Sequence, residues 1–169
     1  MEPLGSFTLI TGGARSGKSA FAEQLARRAA TPVTYIATAE ISDDEMAERI
    51  AKHRAARPAD WDLIEETIRI PETLERLSGY PGVILLDCVT IWLSNLLFQF
   101  SGPNCTYPLT PSELETQIFD RVAAAARQAA ALTAQVIFVT NEAGQGIVPD
   151  NALARQYRDL AGRCNQILA

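Results

Sequence analysis

Near the amino terminus, Gly12-Gly13-Ala14-Arg15-Ser16-Gly17-Lys18-Ser19 has the spacing GxxxxGK[ST]. Glycines let a chain curl until successive backbone N–H groups converge on one point, the arrangement that binds phosphate oxygens. In this pattern Lys18 reaches the β- and γ-phosphates, and the Ser19 hydroxyl is a ligand for Mg²⁺. The pattern carries that meaning only between a strand and a helix. Phe7-Thr8-Leu9-Ile10-Thr11 is a β-prone run just before it. From Lys18 to about Ala30, Phe21, Ala22, Leu25 and Ala29 recur at the core spacing of a helix. The expectation is a site for a nucleoside triphosphate.

A second chemical signal is Asp87, which ends the apolar run Val83-Ile84-Leu85-Leu86. Such a run reads as a parallel strand buried on both faces, and its last residue is delivered to the sheet edge where the loop lies. Asp87 there would hold Mg²⁺; the other reading is a turn or cap residue. His53 is the one histidine, set among Arg49, Lys52, Arg54 and Arg57. It is either a solvated helix residue or a nucleophile. Adjacent cations would keep its imidazole neutral, and the arginines would neutralise a triphosphate.

These residues need elements to position them. Val33-Thr34-Tyr35-Ile36-Ala37 reads as a second strand entered through Pro32. Ser42 and Glu45 form a capping box for a helix running to about Ala56, with Met46 and Ile50 inward and Pro58 ending it. A short segment at Trp61–Glu66 precedes a helix near Glu72–Leu77, and Gln99–Thr110 reads as loop. Thr110-Pro111-Ser112-Glu113 is another capped start, followed by Leu114, Ile118, Val122, Ala125, Ala129 and Leu132. Val136-Ile137-Phe138-Val139 is a fourth strand. A last helix carries Leu153, Tyr157, Leu160, Cys164 and Leu168. Strands alternating with helices predict an α/β fold, a mainly parallel sheet covered on both faces. Ligands then gather outside the carboxyl ends of the strands. Gly144 and Gly146 mark either a loop over that edge or a plain turn.

The 169 residues suit one domain spanning 1–169, and 47% hydrophobic with 21% charged residues is a globular profile. A net charge of −5 argues against a nucleic-acid binder with a globally basic surface. Cys88, Cys105 and Cys164 make neither a CxxC pair nor a disulfide framework, which predicts reduced thiols in a cytoplasm. No secretory signal is expected from Met1–Ser6, and the uncharged stretch after Asp87 is too broken to span a bilayer.

In order along nearly the whole chain, the sequence resembles the bifunctional adenosylcobinamide kinase/adenosylcobinamide-phosphate guanylyltransferases of cobalamin biosynthesis. The resemblance runs through Thr11–Ser19, Tyr35–Ala39, Asp43–Met46, Arg49-Ile50, His53-Arg54, Arg57-Pro58 and Trp61. It continues through Leu85–Leu93, Asn95–Leu97, Val139–Glu142, Gly146–Pro149, Asn151, Leu153–Arg155, Arg158–Arg163 and Asn165-Gln166. It implies a RecA-like P-loop NTPase, usually a homotrimer, with two linked activities. One phosphorylates adenosylcobinamide from ATP or GTP; the other transfers GMP from GTP to adenosylcobinamide phosphate through a guanylylated histidine. By the same resemblance His53 is that histidine. The nucleotide contacts fall on the P-loop, Ala37, Thr38, Ala39, Arg54, Ala55, Ala56, Arg57, Glu65 and Asp87. Glu65 would accept from guanine's N1–H and N2–H₂; alone, the pair Glu65-Glu66 reads equally as solvated acids. Family members usually continue into a final apolar strand, which the chain ending at Ala169 is expected to lack. The competing expectations are a kinase with a single activity, in which His53 is surface, and an ATP-driven assembly module.

Overall fold

The computed structural model describes residues 5–40, 47, 48, 50, 51, 54, 57–103, 105, 109–143 and 148–169. The expectations on Ser42, Glu45, Met46, Arg49, Lys52, His53, Ala55, Ala56, Gly144 and Gly146 therefore lie outside the described residues.

The strands are β1 (Phe7–Ile10), β2 (Val33–Ala37), β3 (Asp62–Glu65), β4 (Val83–Asp87) and β5 (Gln135–Val139). They form one all-parallel sheet in the order β1-β5-β4-β2-β3. The helices are α1 (Lys18–Arg28), α2 (Ile70–Arg76), α3 (Val89–Ser101), α4 (Pro111–Ala131) and α5 (Ala152–Leu168). This is the α/β, RecA-like P-loop architecture, with the strand bearing Asp87 separated from the P-loop strand by β5.

Because side chains alternate along a strand, each central strand feeds two cores. Val33 and Tyr35 of β2, Val83 and Leu85 of β4, and Ile137 and Val139 of β5 pack with Ala22 and Ala26 of α1. Their neighbours Ile36, Ile84, Leu86, Val136 and Phe138 pack on the opposite face with α2, α3, α4 and α5. The unbroken apolar runs of β2, β4 and β5 follow from burial on both sides.

Several expectations change in detail. Phe21, placed inward by its spacing, is 55% exposed; Ala22 and Ala26 are fully buried against the sheet, with Leu25 and Ala29 packed beside them. Trp61–Glu66 contributes a fifth strand, β3, which pairs with β2 alone. The short helix begins earlier than expected, at Ile70 with Pro71 in its first turn, and Glu66 accepts backbone N–H bonds from Ile68 and Arg69 at 3.0 and 2.9 Å. The uncharged stretch after Asp87 is α3, which reaches Ser101 and so shortens the expected loop. Val89, Trp92, Leu93, Leu96 and Leu97 are buried in one stripe against the core, while apolar residues off that stripe lie elsewhere: Ile91 lines the cleft described below and Phe98 is 61% exposed. Among the described residues, no helix is long and apolar enough to cross a membrane. Thr110 and Glu113 form the predicted capping box at the start of α4.

Candidate functional site

Parallel strands bring all their carboxyl ends to one edge. Register then aligns Ile10, Val139, Asp87, Ala37 and Glu65 in a single row across the sheet. Alternation puts this row on the α1 face, since it is in phase with Tyr35, Leu85 and Ile137. Asp87 and Glu65 thus emerge on the side where β1 turns into α1.

That turn is the GxxxxGK[ST] loop. Gly17 has φ +88°, a conformation that disfavours any Cβ even though nothing lies within 4 Å of one. Arg15 is also left-handed, at φ 57°. Immediately after Gly17, α1 begins, and its first backbone N–H groups have no partner within the helix. Lys18 Nζ donates to Gly13 O at 2.6 Å and to Asn141 Oδ1 at 3.0 Å. The segment leaving β5 braces the loop: Glu142 N–H donates to Gly12 O at 3.0 Å, and Thr11 Oγ1 donates to Glu142 Oε1 at 3.1 Å.

The loop and the strand ends enclose a cleft of about 1040 Å³. It is lined by Ala14 through Ser19, Ala37, Ala39, Arg54, Arg57, Glu65 and Asp87 among the sequence-predicted residues. Gly12 and Gly13 shape the loop behind that lining. Thr38 is buried on the other face, where Oγ1 donates to Cys88 O at 2.8 Å and accepts from Cys88 N–H at 2.9 Å. It fixes the exit of β4. Ile50, expected to face the core, is half-buried and lines the cleft instead.

Residues 8–169 match the family described as cobinamide kinase / cobinamide phosphate guanyltransferase. The chain is 44% identical over 165 residues to the bifunctional adenosylcobalamin biosynthesis protein CobU of Escherichia coli, covering 95% of this chain and 88% of that protein. It is 44% identical over 161 residues to CobU of Salmonella typhimurium, and 42% identical over 161 residues to the bifunctional adenosylcobalamin biosynthesis protein CobP of Pseudomonas aeruginosa. These two alignments cover 95% of this chain and 88% and 86% of the relatives. The chain belongs to the cobinamide kinase / cobinamide phosphate guanyltransferase family.

In this family member, three side chains set the electrostatics of the cleft floor. Tyr35 OH donates to Asp87 Oδ2 at 2.9 Å. Burial, then the Asp87 charge, pushes the phenol well above its ordinary value, so Tyr35 remains a donor. The Arg57 guanidinium lies 3.8 Å from the centre of the Tyr35 ring, and its buried Nε has no hydrogen-bond partner among the described residues. Arg54 pairs with Glu65 at the rim. Burial and the Asp87 charge also push the Cys88 thiol up, which makes it a neutral lining group.

Spacing did not single out Tyr35, Asn141, Thr90 or Tyr157 as site residues. Asn141 N–H donates to Thr90 Oγ1 at 3.1 Å, and Tyr157 OH donates to Thr90 O at 2.7 Å. These contacts join residues 51 and 67 positions apart, and no local pattern encodes them. For Tyr35 a signal existed: it is two residues before the strand end and in phase with Asp87.

Proposed function

We propose that the chain carries out both reactions for which its family is described, in this one cleft, with His53 as the group that carries GMP. The observation that supports it most is the shared row. The phosphate loop, Asp87 and Glu65 come from three separate strands yet face one space large enough for a nucleoside triphosphate and part of an acceptor.

In the kinase step, the hydroxyl of adenosylcobinamide attacks the γ-phosphorus of ATP or GTP, the bond to the β-phosphate oxygen breaks, and ADP or GDP leaves while the hydroxyl proton passes to solvent. The loop N–H groups and Lys18 carry the phosphate charge. In the guanylyl step, an imidazole nitrogen of His53 attacks the α-phosphorus of GTP and expels pyrophosphate. The phosphate of adenosylcobinamide phosphate then attacks the same phosphorus and releases the imidazole. Arg57 suits the neutralising role, because its buried Nε lacks an acceptor among the described residues that an anion would provide. Glu65 is the proposed reader of the guanine edge, exchanging its Arg54 partner for the base.

The donor set fits Mg²⁺. Ser19 and Asp87 offer oxygen alone, with Asp87 Oδ2 already oriented by Tyr35. Among the described residues, no cluster of three His, Cys, Asp or Glu makes a protein-only cage, and Mg²⁺ commonly takes one or two protein oxygens and completes its shell with phosphates and water. Bound there, Mg²⁺ would neutralise phosphate charge. A cytoplasmic homotrimer acting on a corrinoid and nucleotides, without nucleic acid, completes the reading.

The test is mass spectrometry after incubation with GTP and Mg²⁺. One GMP should be added, acid-labile and alkali-stable, and lost in His53→Asn while kinase activity remains. An adduct that persists in His53→Asn moves the nucleophile elsewhere. Kinase activity with no adduct in the wild type would leave a kinase alone.

A further inference from the structure

We propose that Asn141 reads the terminal phosphate of the bound nucleotide and so distinguishes triphosphate from diphosphate. The inference rests on the nucleotide reading of the cleft and adds a residue to it.

Chemistry fixes the orientation of the carboxamide. The Lys18 ammonium can only donate, so the amide must turn Oδ1 toward it, and the two are 3.0 Å apart. Nδ2 then carries two N–H groups directed away from Lys18, and among the described residues it donates to no acceptor. Asn141 lines the cleft, so these donors belong to its wall. A phosphate oxygen held by Nζ lies within reach of the same carboxamide. The Lys of this loop serves the β- and γ-phosphates, which places Asn141 at the far end of the phosphate chain.

The fold supports that placement. Asn141 follows β5, the strand between the P-loop strand and the Asp87 strand, and is in phase with Val139 on the α1 face. Glu65 stands at the opposite margin, three strands from β5. Phosphate end and base end are therefore separated along one row. The backbone of Asn141 is also anchored. Its N–H donates to Thr90 Oγ1, its carbonyl accepts from Asn165 Nδ2 at 3.3 Å, and Thr140 Oγ1 donates to Asn165 Oδ1 at 2.7 Å. None of these bonds uses the Asn141 side chain, so replacing that side chain leaves the loop held.

The experiment measures Kd for GTP and for GDP, in excess Mg²⁺, on wild type, Asn141→Ala and Asn141→Asp, with Tm recorded for each. Asn141→Ala should weaken GTP about tenfold and change GDP less than twofold, the loss of one hydrogen bond to a charged group. Asn141→Asp keeps an oxygen for Lys18 but replaces the N–H donors with negative charge, so it should weaken GTP further and lower the GTP/GDP preference more than alanine does. Equal weakening of GTP and GDP in Asn141→Ala would confine the residue to holding Lys18 and overturn the proposal. Unchanged affinity for both would overturn it too. If the wild type bound neither nucleotide, the nucleotide reading itself would fall, and this inference with it.

Discussion

The Asp87 carboxylate has two oxygens, and Tyr35 occupies one of them. Tyr35→Phe keeps the ring on which the Arg57 guanidinium stacks and removes only the hydroxyl. Asp87 would then turn more freely, so the Mg²⁺ concentration for half-maximal turnover should rise severalfold. Stability should fall by about 1 kcal/mol, the usual worth of one such bond. A metal titration beside urea unfolding separates the two effects; an unchanged metal requirement would make the hydroxyl structural only. Asp87→Asn should be harsher, removing the charge itself, with turnover falling far more than Tm. Lys18→Ala should weaken triphosphate binding by about 10- to 100-fold, since a charge-assisted contact is lost, and should abolish both activities. Titration calorimetry with GTP checks the first part. At this scale the P-loop was readable because its eight residues are contiguous, and Asp87 because a strand ends on it. Asn141 was not readable as a site residue, because its role depends on a contact across 123 positions.

Elements position these residues, and their stability is separable from the chemistry. Thr110 Oγ1 accepts from Glu113 N–H at 3.4 Å, and Thr110 N–H donates to Glu113 Oε2 at 2.9 Å. The Thr110 hydroxyl and N–H hold the Glu113 carboxyl below its ordinary value. A lowered folded-state value means that the carboxylate's share of the cap is present above the ordinary glutamate range and is lost as pH falls through the lowered value. Thr110→Ala should lower Tm by about 2–4 °C at neutral pH. The deficit should shrink in acid, and nucleotide affinity should be unchanged, as calorimetry at several pH values would record. That box was legible because capping chemistry is local. Helix α3 was not, because apolar residues off its buried stripe, Ile91 at the cleft and the exposed Phe98, blur the pattern by which helices are recognised. β3 was legible only as a segment. Two of its four residues, Asp62 and Glu65, are charged, and its pairing depends on β2 lying alongside. The inward placement of Phe21 failed because the packed residues Ala22, Leu25, Ala26 and Ala29 define a stripe whose centre lies about 100° around the helix from Phe21.

Across the whole molecule, the site is assembled from strand ends, so ligand binding and global stability are linked. The cleft is lined by the P-loop after β1, by Ala37 of β2, Glu65 of β3, Asp87 of β4 and Asn141 after β5. No strand can leave the sheet without removing part of the site. A ligand that binds only the folded state stabilises it by RT ln(1 + [L]/Kd), about 2.7 kcal/mol at one hundred times Kd. For a domain of this size that is a rise in Tm of about 5–10 °C. GTP with Mg²⁺ should produce that rise in the wild type. Lys18→Ala, binding about 10- to 100-fold more weakly, should reduce it to about 1–6 °C at the same concentration. His53→Asn should retain it, because the proposed nucleophile forms a bond after binding and is not required for it. Hydrogen exchange tests whether the effect is global. With GTP bound, slow amides in β4 and β5 should gain protection alongside those of the loop, since their exchange requires the sheet to open. Protection gained only at residues 12–19, with no rise in Tm, would mean that the loop orders on its own and that the strand ends do not act together as one site.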